Sequence, residues 1–151
     1  MKKIMLCGRV GCGKTTLTQA LRGEKINYHK TQYINNSNVV IDTPGEYAET
    51  RFLAHALALY SYEADVIGLL LNAAEPYSLY SPNITSLCNR EVIGIVTQID
   101  RSDGNVKHAE NWLRLAGCEK IFYTDAISGK GVGELLMYLK ETNDELVQIS
   151  D

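Results

Sequence analysis

A chain of 151 residues has the length of one domain, and 45% hydrophobic with 22% charged residues is an ordinary globular composition. The net charge of -3 excludes the basic footprint of a nucleic-acid binder, and no polybasic run points to a membrane surface. No stretch approaches the roughly 20 apolar residues of a membrane span. The opening "MKKIMLC" stops too soon for a signal peptide, so a cytoplasmic protein is expected. The four cysteines (Cys7, Cys12, Cys88, Cys118) stand singly. Without a Cys-x-x-Cys pair they support neither a zinc nor a redox motif, and reduced, buried thiols are expected.

No repeat, low-complexity tract or linker divides the chain, so residues 1–151 are taken as one domain. "KIMLC" is an apolar run and predicts a strand. After a glycine-rich loop, Leu17, Ala20 and Leu21 mark one face of a helix. "TQYI" and "NVVID" predict two short strands turning at "NNSN". Leu53, Ala56, Leu57 and Tyr60 carry helical spacing. "DVIGLLLNA" is a buried strand, and the segment "SLYSPNITSLCN" reads as a broken helix because of its proline. "EVIGIVTQID" is another buried strand. Ala109, Trp112, Leu113 and Ala116 form a helix that Gly117 can cap. "KIFYT" is the last strand, and Val132, Leu135, Leu136 and Leu139 make the last helix. This alternation predicts an α/β fold: a mostly parallel six-stranded sheet, one antiparallel edge strand, and helices on both faces. Ligands of such sheets bind at the carboxyl ends of the strands, where the glycine loop, "DTPGE", "TQID" and "DAISGKG" converge.

The spacing Gly8-x-x-x-x-Gly13-Lys14-Thr15 is that of a phosphate loop. Gly8, Arg9, Val10, Gly11, Cys12, Gly13, Lys14, Thr15 and Thr16 form the predicted cradle. Its backbone N–H groups face phosphate oxygens, and the following helix adds its N-terminal dipole. Lys14 reaches the β- and γ-phosphates, and the Thr15 hydroxyl ligates Mg2+. Asp42, ending a strand, is placed to hold Mg2+ through water. Gly45 can offer its N–H to a γ-phosphate, because glycine lets the backbone come close. Thr31 is a candidate to close over the metal. Asp100 can accept from the N1–H and 2-amino group of guanine, a pair of donors that adenine lacks. His29 and Lys30 flank Thr31 and could meet phosphate, though a charged loop is the plainer reading; His55 reads as surface or packing, Tyr77 and Tyr80 could form a partner surface, and Trp112 reads as core.

These motifs, in this order, resemble a translation-factor-class small GTPase. "YHKTQY", "IDTPGEYAE", "VIGIVTQIDR" and "AENWLRLAGCEKIFYTDAISGKGVGEL" more closely resemble the EutP/PduV family of ethanolamine- and propanediol-utilisation proteins, over nearly the whole chain. The resemblance implies a Ras-like P-loop NTPase fold, Mg2+-dependent binding of GTP or GDP with ATP as an alternative, and a role beside bacterial microcompartments. It also implies acetate kinase activity. Thr97, Gln98, Asp100, Ala126 and Ile127 then line the base, the last two through backbone N–H groups to guanine O6. Lys14, Thr31, Gly45 and Glu46 surround the γ-phosphate.

Three residues depart from the pattern. Gln98 replaces a lysine whose stem lies across the base, and it lacks that lysine's cation–π attraction and its contacts to neighbouring loops. Asp125 replaces a serine and is expected to disturb the last base loop. Glu46 replaces the glutamine that orients water. It accepts a proton but donates none, so slow hydrolysis is expected unless an arginine such as Arg9 or Arg51 assists. Three readings therefore stand side by side: a slow GTPase or switch, a kinase moving the γ-phosphoryl of ATP to acetate, and a nucleotide-gated module that docks microcompartment shell or enzyme proteins. None calls for nucleic acid or membrane. The kinase reading calls for a cationic pocket to orient the acetate acceptor, with Lys30, Arg9 and Arg51 as its candidates.

Overall fold

A computed structural model describes residues 2–8, 12–22, 40, 64–75, 78, 80, 82–88 and 90–140. Four parallel strands form its centre in the order β1-β2-β3-β4: β1 (Ile4–Cys7), β2 (Val66–Asn72), β3 (Glu91–Thr97) and β4 (Ile121–Tyr123). The register runs Cys7 to Leu69, Leu69 to Gly94, and Gly94 to Ile121, which brings all the carboxyl ends to one edge. Val40, within the run "NVVID" read as a strand, makes a parallel bridge to Ile4 on the outer side of β1. The strand "TQYI", the remainder of "NVVID" and the helix over 53–60 lie outside the described residues, and with them the fifth and sixth strands and the antiparallel edge.

Strand residues are buried on both faces, which is why the strands read as continuous apolar runs. Ile4 and Leu6 point to one face, and Met5 and Cys7 to the other. On the first face, helix α1 (Lys14–Arg22) packs Leu17, Ala20 and Leu21 beside α3 (Val132–Leu139), which supplies Val132, Leu135 and Leu139. On the second face, α2 (Val106–Ala116) packs Ala109, Leu113 and Ala116. Leu17, Leu21, Leu113 and Leu135 are each fully buried, so truncating any of them to alanine costs about 2–5 kcal/mol.

The helix ends follow local chemistry. Asn105 caps α2 by accepting the His108 N–H at 3.0 Å. Gly117, at φ 114°, closes the other end as its position predicts, its N–H reaching Arg114 and Leu113 carbonyls. The segment read as a broken helix contains one 3-10 turn, Ile84–Leu87. Tyr80 within it is buried rather than a surface residue: its hydroxyl lies 2.7 Å from the Leu70 carbonyl and 3.0 Å from that of Cys7. It thereby ties β1 to β2 at the strand ends. Trp112 packs partly buried against the second core, as expected.

Candidate nucleotide site

The predicted phosphate loop begins where β1 ends. Gly8 and Cys12 come together across it: a Cβ on Gly8 would meet Cys12 Sγ. Arg9, Val10 and Gly11 between them lie outside the described residues. Gly13 has φ 90°, a left-handed conformation that glycine adopts without strain, and α1 starts at the next residue. Its carbonyl accepts the Leu17 N–H at 2.9 Å, so the first helical turn is already formed. That turn contains no acidic residue. The first turn of α1 therefore carries no carboxylate of its own to offset the positive end of its dipole. Thr18 folds its hydroxyl back onto the Lys14 carbonyl at 2.7 Å, whereas Thr15 is exposed on the outer turn. Thr16 follows it on the same turn. Thr31, Asp42, Gly45 and Glu46 lie outside the described residues. Among the described residues no group of three acidic, histidine or cysteine side chains forms a metal site by itself.

The end of β3 docks onto this loop. Thr97, almost fully buried, donates its hydroxyl hydrogen to the Cys12 carbonyl. A Cβ on Gly13 would stand 3.3 Å from Gln98 Nε2 and 3.5 Å from Thr97 Cβ. The Gln98 side chain therefore lies beside the phosphate loop. Its backbone has φ 56°, and its Oε1 accepts Arg101 Nη1–H at 2.9 Å. Arg101 is held in turn by both carboxylate oxygens of Asp103, at 2.9 and 2.8 Å. The Arg101 hydrogen bonds hold the Asp103 carboxyl below its ordinary pKa.

The loop after β4 completes the edge. Thr124 N–H donates to the Val96 carbonyl at 2.8 Å, and Ile99 N–H to the Thr124 carbonyl at 3.2 Å, so the two candidate base loops are stitched together. Asp125 builds the turn instead of disturbing it. Its Oδ1 accepts the Ile127 N–H at 3.1 Å and the Ser128 N–H at 3.3 Å. The Ile127 N–H assigned to guanine O6 is thus engaged inside the loop, while the Ala126 N–H has no hydrogen bond among the described residues. Ile127 itself is 86% exposed. Lys130, which sequence reasoning passed over, extends from this loop to Asp100, with Nζ 3.1 Å from Oδ1. The pair joins the two loops across 30 positions.

The cysteines near the cradle are not reactive groups. Burial pushes the Cys7 thiol up to about 12 and raises that of Cys12, the nearby Lys14 charge opposing only part of this. All four thiols are free.

A glycine loop entering a helix at the end of a parallel strand, with the end of β3 docked on it and the loop after β4 bonded to that end, is the arrangement of a P-loop nucleotide-binding protein. Solved GTPases share this fold. The chain aligns over 91% of its length with the translation elongation factor SelB of Methanococcus maripaludis, at TM-score 0.60 and 18% identity, spanning about a third (33%) of that chain. With the cytosolic domain of the T. maritima FeoB iron transporter in its GMPPNP form the TM-score is 0.61 and the identity 25%, covering 92% of this chain and 62% of that one. The chain belongs to the PduV-EutP family of ethanolamine and propanediol utilisation, whose profile matches residues 1–141. It is 49% identical to the propanediol utilization protein PduV of Citrobacter freundii, over 92% of this chain and 93% of that one. It is 31% identical to the probable acetate kinase EutP of Escherichia coli K12, over 92% and 89%. No helix among the described residues is long and apolar enough to cross a membrane.

Proposed function

We propose that this protein binds a guanine nucleotide with Mg2+ and hydrolyses it slowly in the service of propanediol or ethanolamine utilisation. The observation that carries the reading is the docking of β3 on the phosphate loop: Thr97 fastened to the Cys12 carbonyl and Gln98 against Gly13. The reading is supported by this contact, in which the end of β3 meets the loop before α1. One molecule with a base at one end and phosphates at the other spans them.

In this reading Lys14 and the first N–H groups of α1 neutralise the phosphates. Thr15 supplies a hydroxyl to Mg2+, with Thr31 and Asp42 completing its ligands; the ion would offset charge on the phosphate oxygens. Gly45 offers a backbone N–H to the γ-phosphate. Glu46, an acceptor without a donor, lets water approach but does not stabilise the transferring group, which keeps turnover slow. Asp100 and the Ala126 N–H read the base edge. Calorimetric titration with GDP, GTP, ADP and ATP in Mg2+ tests the reading, alongside Asp100→Asn. Tighter binding of GDP than of ADP, weakened by Asp100→Asn, is expected. Equal affinities in both proteins would remove the base assignment.

A second reading is favoured by the names of the EutP relatives, each called a probable acetate kinase. A carboxylate acceptor needs no general base, so Glu46 is no obstacle to phosphoryl transfer onto acetate. Acetyl phosphate forming from ATP and acetate, and disappearing with Lys14→Ala, would establish it. No acetyl phosphate from the wild-type protein would remove it.

A further inference from the structure

Asp100 alone would present two acceptor oxygens to a base. That matches guanine, whose N1–H and 2-amino group both donate. It repels adenine, whose N1 is itself an acceptor. The carboxylate is not alone. Lys130 Nζ stands 3.1 Å from Oδ1, and Oδ2 has no hydrogen-bond partner among the described residues. We propose that Lys130 sets the base preference of this site by turning the guanine-reading carboxylate into an acceptor–donor pair that also fits adenine. The 6-amino group of adenine then donates to the carboxylate while its N1 accepts from the ammonium. The inference rests on the reading that the loops at 97–101 and 124–131 hold a base.

Two further features act in the same direction. The Asp125 side chain captures the Ile127 N–H, removing a donor that guanine O6 would otherwise meet. Adenine has no oxygen there and loses nothing. The placement of Lys130 also belongs to the loop's folding. The Asp125 N–H donates to the Lys130 carbonyl at 2.9 Å. Gly131, the next residue, has φ 79°, and a Cβ there would stand 1.9 Å from the Tyr123 carbonyl oxygen. The backbone that carries Lys130 is therefore fixed on both sides. The ion pair is exposed at 60% and 44% of the two side chains. It is strong enough to tune a preference and too weak to seal the site, since exposed pairs change an equilibrium by at most about fivefold.

The test is equilibrium binding of GDP and ADP to wild type, Lys130→Met and Lys130→Arg. Methionine keeps the stem and removes the charge; arginine keeps a donor. The GDP-to-ADP affinity ratio should rise by about threefold to fivefold in Lys130→Met, through weaker ADP binding, and stay near wild type in Lys130→Arg. Raising the salt should raise the ratio in wild type but not in Lys130→Met, because screening acts on the exposed pair. An unchanged ratio in a Lys130→Met protein that melts like wild type overturns the proposal. Asp100→Asn separates the two levels. If it lowers the GDP preference while Lys130→Met does nothing, only the role of Lys130 falls. If neither substitution alters any affinity, the base-site reading falls and takes this inference with it.

Discussion

Replacing Thr97 with valine removes one hydroxyl from the junction between the phosphate loop and β3. Valine has nearly the same shape, so the packing around the side chain survives. What is lost is the hydrogen bond to the Cys12 carbonyl. Both residues are almost wholly buried, at 3% and 1% exposure, so water cannot easily replace the missing donor. An unsatisfied buried acceptor costs about 1–3 kcal/mol. In a domain of this length that lowers Tm by about 2–12 °C, using about 2–4 °C per kcal/mol. The same loosening acts on the loop that would receive phosphate, so nucleotide affinity should fall as well. Thr97→Ser keeps the hydroxyl and gives up one methyl group. It should restore most of the affinity even if some stability is lost. Chemical denaturation and calorimetric titration of the three proteins check this. A Thr97→Val protein equal to wild type in both stability and affinity would refute the coupling of β3 to the cradle.

Three further outcomes follow from specific contacts. Gly131→Ala places a Cβ against the Tyr123 carbonyl at a positive φ, so it should destabilise the fold by more than the roughly 1 kcal/mol of a left-handed alanine alone; urea unfolding reads this. Tyr80→Phe leaves the Cys7 and Leu70 carbonyls without the hydroxyl they share and should lower unfolding free energy by about 1–3 kcal/mol. Glu110 has a lowered pKa, first through the Tyr123 hydroxyl, which it accepts at 2.8 Å, then through Arg114. Because the folded value is depressed, its contribution is present above the ordinary glutamate pKa and is lost as pH falls through the lowered one. Acid titration of stability should therefore be shallower in Glu110→Gln.

Periodicity was enough to locate α1, α2 and α3, because each buries a single stripe against the sheet and that stripe is local in sequence. The four strands were legible as apolar runs because parallel strands are covered on both faces. The turn from Gly13 into α1 was legible too, since glycine spacing is a local property. What escaped were contacts between distant residues. Thr97 and Cys12 are 85 positions apart, and nothing in "VTQID" announces that its threonine holds a carbonyl of the phosphate loop. Tyr80, in a proline-containing stretch, carried no signal of its place, yet its hydroxyl reaches carbonyls of both β1 and β2. Asp125 was read as a foreign acid in a serine's place, whereas a carboxylate can take two backbone N–H groups and make the turn itself. Lys130 was overlooked because its meaning depends on Gly131 folding the loop back toward Asp100.

The central claim is that residues 8–16 form a phosphate cradle joined to a base site. Titration of GDP into wild type and Lys14→Ala, with and without Mg2+, tests it most directly. The account predicts saturable binding to wild type that weakens at least tenfold in Lys14→Ala, while both proteins melt at similar temperatures without nucleotide. Equal GDP affinity in the two proteins would contradict it.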